Sequence, residues 1–406
     1  MRALSIPESV DQTLRALSHT KAIMDASYRF GIEEEYFLAD ATTRGTPRRT
    51  AKGFHEAARA RLPQVERELL QSQVEVATPP STSFAAAGEI LCGLRTGLAE
   101  IGRLHGLLVL AAGTHPIARW SRQSHTEADR YEGIMRELRM VGRRSVICGM
   151  HVHVEVPRPE ARVDLMNRLL PFTPLLLALS ASSPFWQGRA TGLAGYRLSA
   201  FGEMPRTGLP DLFAGPEDYE RYVTVMTRSG AITDASFLWW TLRPSVRYPT
   251  LELRVADSCT RLGDTIAIAA LYRCLVRLLD RRPDLNRGLT GASRALAAEN
   301  LWRAQRHGVR ASLIDEASGA AVPFASCLDA ALGLVGEDAD ALGCRDEVEA
   351  SRAIAAEGTS ADRQLAVFAE ARGRGLGDRE ALGAVVDWLA AATAEPSSPA
   401  RRQSAR

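Results

Sequence analysis

The chain has 406 residues, enough for one large domain or two average ones, and its 46% apolar and 24% charged content is that of an ordinary soluble globular protein. Fifty basic against 48 acidic residues leave a formal net charge of +2, which argues against a nucleic-acid protein working through its bulk field, though not against a local basic cleft. The six cysteines (Cys92, Cys148, Cys259, Cys274, Cys327, Cys344) are scattered without a C-x-x-C pair, and read as free thiols in a reducing compartment.

Residues 1–29 read as a mildly amphipathic helical extension. From Phe30 the pattern changes to period two, and Phe30–Leu38 is a strand ending at Asp40. A second strand, Ser72–Thr78, is stopped by Pro79 and Pro80; residues 84–106 are helical and Gly106–Ala112 extended. Residues 124–142 are helical by composition, and Cys148–Val156 alternates until Pro157. Within the helical stretch 161–180, Pro171 and Pro174 interrupt the leucine-rich run, which is too short to cross a bilayer. A loop rich in glycine and arginine follows from Ser182 to about Pro210. Then come Ser236–Arg247 with its Trp239–Trp240 pair, more often core than stacking platform, and a strong strand from Thr250 to Val255. Residues 262–280 form an amphipathic helix, residues 290–393 are alanine-rich and mainly helical, and Gly373–Gly377 is a turn between helices. The tail 395–406, with prolines, serines and arginines, reads as disordered. The N-terminus shows no apolar stretch and cleavage site of signal type, so a cytoplasmic protein is expected. The strands are spaced too irregularly for a βαβ series. The expectation is an α+β domain over residues 30–394 with a largely antiparallel sheet flanked by helices.

Residues i and i+2 of a strand share a face. Four strand candidates place a polar pair there: Glu33/Glu35, Gln73/Glu75, His151/His153 and Glu252/Arg254. For any single pair, a solvated strand face is the favoured explanation. It weakens when four strands do it without the lysines, serines and threonines of an ordinary wet face. Such a set suits a hard divalent cation: Mg²⁺ takes carboxylate oxygens together with water and substrate phosphates, and an imidazole among them suits Mn²⁺ as well. The His-x-His pair alone also fits a zinc hydrolase. Surplus carboxylates and the cationic Arg254 tilt the site toward metal plus polyphosphate. There is no GxxxxGK[ST] loop, so a nucleotide needs another scaffold.

With these residues in view, the chain resembles the type 2 glutamate–cysteine ligase (carboxylate–amine ligase) family of the glutamine-synthetase-like superfamily. The resemblance covers roughly residues 30–393. It rests on Gly31–Phe37, Gln71–Val76, Ala112–Pro116, Cys148–Val154, Ser180–Trp186, Leu238–Trp240 and Arg247–Arg254, in that order. It implies a glutamine-synthetase-like fold with a curved antiparallel sheet holding ATP and Mg²⁺. It further implies that Glu33, Glu35, Glu75, His151 and Glu252 are metal ligands. His153 would lie near the nucleotide phosphates, Arg254 near the transferred phosphoryl group, and Gln73 in the cofactor site. The implied reaction phosphorylates a substrate carboxylate, glutamate or similar, and an amine then attacks the acyl phosphate, with release of ADP and phosphate. Arg197, Arg206, Arg243 and Arg247 are candidates for substrate carboxylates, and His115 is more a structural residue than a ligand. Gly188–Gly208 is a candidate lid or a plain surface connection. A homodimer is the family-level expectation; no nucleic-acid or membrane partner is expected. Family members differ in substrate, so the family name overstates glutamate and cysteine specificity, and the extension before Phe30 is longer than usual. The competing readings are a guanidino phosphotransferase of the same superfamily, an ATP-independent zinc metallohydrolase, and a silent binding relative.

Overall fold

The longest run of alternation in the chain becomes the spine of the fold. In a computed structural model, which describes residues 26–47, 51–126 and 129–395, β1 runs from Phe30 to Asp40. Apart from residues 26–29 and Glu395, the expected extension and tail lie outside the described residues. Around β1 assemble β2 (Val65–Arg67), β3 (Gln73–Ala77), β4 (Leu107–Leu110), β5 (Met150–Glu155), β6 (Leu242–Pro244) and β7 (Thr250–Leu253). The seven-stranded sheet has the order β6-β7-β5-β1-β3-β2, and β4 also pairs with β1. Every pairing in it is antiparallel. β5 and β4 share one edge of β1 in succession, against residues 30–34 and 37–40, while β3 holds the opposite edge.

Alternation then sorts the side chains. Ile32, Tyr36, Leu38, Val74, Val76, Val152, Val154, Leu251 and Leu253 are buried in the core, which the helices Phe84–Leu104 and Leu262–Arg281 help to close. The first is capped by the Ser83 side chain, which accepts from the Ala86 N–H. The second differs from the expected amphipathic helix, because it is buried on nearly every side. Its polar residues are paired inside the protein. Arg273 donates to the carbonyls of Ser27, Tyr28 and Thr82 and ties down the chain entering β1, while Arg277 meets Asp338, and Asp280 accepts from Tyr28 and Arg158.

The expected helix over 124–142 is two helices, Asp129–Leu138 and Met140–Arg143, broken where Arg139 takes a left-handed φ of 47°. Residues 291–394 are mainly helical as read, with one hairpin of Ser312–Ile314 and Ala321–Pro323 and a turn at 374–377. Strand β2 escaped the sequence reading because three residues are too short to show a period. All six cysteines are free. No helix among the described residues is long and apolar enough to cross a membrane.

Candidate active site

Cross-strand neighbours point to the same side of a sheet, so the register assembles the site. Glu33 lies opposite His151, Glu35 opposite Glu75, and His153 opposite Glu252. All belong to the face of β1 turned away from Ile32 and Tyr36 and line one cleft of about 580 Å³. Sequence spacing found each pair; the register makes them one surface.

The carboxylates fall into two groups, each with ligand-type atoms within 4.8 Å of one another: Glu33, His153 and Glu252 in one, Glu35, Glu68 and Glu75 in the other. His151 stands between the groups, its Nδ1 3.2 Å from Glu33 and its Nε2 3.6 Å from Glu35. The geometry thus groups His153, rather than His151, with the acids; its Nε2 is 3.4 Å from Glu33, and its Nδ1 is oriented by the Thr250 hydroxyl at 2.9 Å. Glu68 was not singled out from the sequence. It follows the three-residue β2 in Glu66–Arg67–Glu68, itself an i, i+2 acid pair on too short an alternation to stand out.

The two groups differ electrostatically. In the first, burial pushes the Glu33 carboxyl up, but hydrogen bonds and charge from His151 and His153 outweigh it and hold it well below the ordinary range. Burial likewise opposes Glu252, yet Arg254 and Arg243 keep it strongly ionised. Arg243 grips Glu252 through two nitrogens, at 2.8 and 3.2 Å, and Arg254 donates to it as well. In the second group burial dominates. It raises Glu35 despite His151 and Arg197, and raises Glu75 well above the usual range with the added repulsion of Glu68, Glu33 and Glu35. Among the described residues no lysine or arginine pairs with Glu35, Glu68 or Glu75. Half-buried carboxylates that no lysine or arginine pairs with, oxygen donors all, fit hard divalent cations. The second group is carboxylate only, without the imidazole or thiolate that zinc usually takes, and no thiolate joins the first: the Cys148 thiol is buried and pushed up by that burial.

The remaining sequence candidates separate clearly. Gln73 lines the cleft, but its amide donates to the Ile147 carbonyl at 2.5 Å. Arg254 is held by Glu252, and Arg243 is committed to Glu252 and to the carbonyls of Ser236 and Leu238. Arg247 is exposed at the rim. Arg206 does not line the cleft; it lies over the Trp239 ring at 5.4 Å and donates to the Phe237 carbonyl. Arg197 does line it, fully buried. Trp240 is core, stacked on Tyr222, whereas Trp239 reaches the cleft. His115 is structural: its Nδ1 accepts from the Ile117 and Ala118 N–H groups, and burial lowers its pKa to about 4.

The segment Gly188–Gly208 is neither a free lid nor a plain surface connection. It carries the helix Tyr196–Phe201, is fastened by Ala194 N–H to the Gln305 carbonyl and Arg197 N–H to the Ser183 hydroxyl, and presents Arg197, Phe201 and Met204 as a wall of the cleft.

A family model described as Glutamate-cysteine ligase family 2 (GCS2) matches residues 29–386. A protein of Rhodospirillum rubrum, provisionally named glutamate–cysteine ligase 2, is 46% identical over 381 residues, covering 92% of this chain and 97% of its own. One of Bradyrhizobium sp. (strain ORS 278), with the same provisional name, is 45% identical over 377 residues, covering 93% and 90%. Among solved structures, a glutamate–cysteine ligase from Francisella tularensis in complex with AMP superposes with a TM-score of 0.64 at 13% identity, over 92% of this chain and 90% of that one. A bifunctional glutathione synthetase from Pasteurella multocida gives 0.66 at 14%, over 93% of this chain, which spans 54% of that longer protein. At such identities the structures speak for the fold.

Proposed function

The chain belongs to glutamate–cysteine ligase family 2, ATP-dependent enzymes that join a carboxylate to an amine, and from that premise we propose that its two acid groups hold Mg²⁺ ions on which the polyphosphate of ATP and the substrate carboxylate are aligned. Glu33, His153 and Glu252 would hold one ion, and Glu35, Glu68 and Glu75 another. Mn²⁺ suits the same donors. When bound, the ions would neutralise charge on the phosphates and on the carboxylate.

The protein's own groups do the rest. Arg254 and Arg243 flank Glu252 and place positive charge beside the first group, where the transferred phosphoryl group would gather negative charge. His151 stands between the two groups, within 3.2 Å of Glu33 and 3.6 Å of Glu35. The wall from Tyr196 to Met204 narrows the access of water to an acyl phosphate. In the first step a carboxylate oxygen attacks the γ-phosphorus and ADP leaves. In the second the amine nitrogen attacks the acyl carbon, phosphate leaves, and the nitrogen loses a proton. A glutamate-type carboxylate is the proposed donor.

The observation that carries this reading is the division of the acids into one group paired with arginines and one group that no arginine or lysine pairs with, on a single face. The test is to incubate the protein with ATP, Mg²⁺ and a panel of carboxylates and amines and to follow ADP and products. ADP release that requires both partners is expected. Turnover without ATP, abolished by a zinc chelator, would overturn the reading; phosphoryl transfer to a guanidino compound with no amide formed would replace it.

A further inference from the structure

Three residues of alternate position, Gly149, His151 and His153, lie along the cleft face of β5 and the residue before it. His151 and His153 fill their places with imidazoles; Gly149 leaves its place to another residue. A Cβ built on Gly149 would stand 2.2 Å from Nη2 and 2.8 Å from Cζ of Arg197, so the guanidinium lies where a side chain at 149 would be. The backbone of Gly149 is outside the left-handed region, so conformation alone does not require glycine there. Space does.

Gly149 has a second engagement. Its N–H donates to Glu35 Oε2 at 2.6 Å, and its carbonyl accepts from the Glu35 N–H at 3.1 Å. One residue therefore touches a carboxylate of the second acid group and makes room for the cation beside it. Arg197 is only 3% exposed. Its Nη atoms reach only the carbonyls of Arg254 and Val255, at 3.3–3.4 Å, and its Nε has no partner. Asp257 and Glu35 are the nearest carboxylates, but neither is hydrogen-bonded to it, so a buried guanidinium on a cleft wall keeps donors free to receive an anion from the cleft.

We propose that Gly149 is a positioning residue: its missing side chain is the socket that holds Arg197 beside Glu35, where the guanidinium receives the carboxylate-bearing substrate. This rests on the ligase reading above. A methyl group at 149 would meet the far end of a flexible side chain rather than backbone, so the fold should survive while the guanidinium is displaced.

The test is a double-mutant cycle of Gly149→Ala and Arg197→Ala, with KM measured separately for ATP and for the carboxylate, and with unfolding midpoints of all four proteins. Gly149→Ala should cost about 10²-fold in kcat/KM for the carboxylate, as a misplacement of about 1 Å can, with the KM for ATP nearly unchanged. In the Arg197→Ala background the same methyl group should cost almost nothing further, because nothing remains to collide with it. Should Gly149→Ala fold poorly, Arg197→Ala must restore its midpoint. Additive losses, a parallel rise in both KM values, an unchanged carboxylate KM, or a midpoint that Arg197→Ala fails to restore would each overturn the socket. A wild-type protein that releases no ADP with any carboxylate and amine would instead overturn the ligase reading, and the substrate role of Arg197 with it.

Discussion

Glu33, Glu34 and Glu35 are consecutive in β1, yet they face two different worlds. Glu34 points into the core, fully buried, where Arg95 grips it through two nitrogens at 3.0 and 2.5 Å and the Thr265 and Tyr36 hydroxyls donate to it. Burial opposes its charge, but Arg95 outweighs that and keeps it ionised. Glu35, one residue on, has a backbone N–H, an imidazole at 3.6 Å and no paired arginine, and burial raises it. The same side chain on opposite faces of one strand is thus neutralised by the protein in one case and left for a ligand in the other. On the proposed function, the neighbour left incomplete is the one that takes a ligand.

Glu35→Gln should break the functional half of this contrast most severely. Turnover of ADP should fall by at least about 10³-fold with an unchanged circular dichroism spectrum; near-normal turnover at saturating Mg²⁺ would remove Glu35 from the ligand set. Glu34→Gln should do the reverse, lowering unfolding free energy by about 3–5 kcal/mol through an uncompensated Arg95, as read by denaturant midpoints. Buried His115 offers a pH form of the comparison. Its folded pKa, about 4, lies below the ordinary value of 6.5. Above pH 6.5 it is neutral in both states and costs nothing. As pH falls from 6.5 to 4 the unfolded chain takes a proton that the folded one refuses, so stability should drop by roughly 3 kcal/mol in all. His115→Gln should flatten that slope. Mg²⁺ at 100 times its dissociation constant should raise wild-type stability by about 2.7 kcal/mol per site, with the increment at the second site absent in Glu75→Gln. The smallest effect is the most pointed. Without metal, Glu75→Gln should gain about 1 kcal/mol at neutral pH, because burial and the neighbouring Glu68, Glu33 and Glu35 make the carboxyl costly to ionise in the fold, and an amide carries no such cost.

Much of this was legible along the chain, for a simple reason. Period-two alternation is local, so β1, β3, β5 and β7 and their paired polar residues can be read one strand at a time. What escaped was non-local. Glu68 lies beyond an edge strand too short to show a period, and joins Glu35 and Glu75 only through the pairing of β2 with β3. The helix Leu262–Arg281 reads as amphipathic because its arginines recur, but their partners Asp338, Ser27 and Thr82 lie far away in sequence. Arginine identity alone could not separate Arg243, spent on Glu252, from Arg206, turned onto Trp239, or from Arg197, held in the cleft wall.

The sequence by itself determined which face of each strand is polar, since side-chain direction follows from backbone geometry that every residue shares. It determined equally that this face is acidic. Only the tertiary structure decided that His153 rather than His151 sits among the first group of acids, that Glu34 is paired with an arginine and Glu35 is not, and that Arg197 stands where Gly149 has no side chain. Those outcomes depend on strand register and on side chains arriving from distant segments, and neither is encoded in the spacing of residues along a single strand.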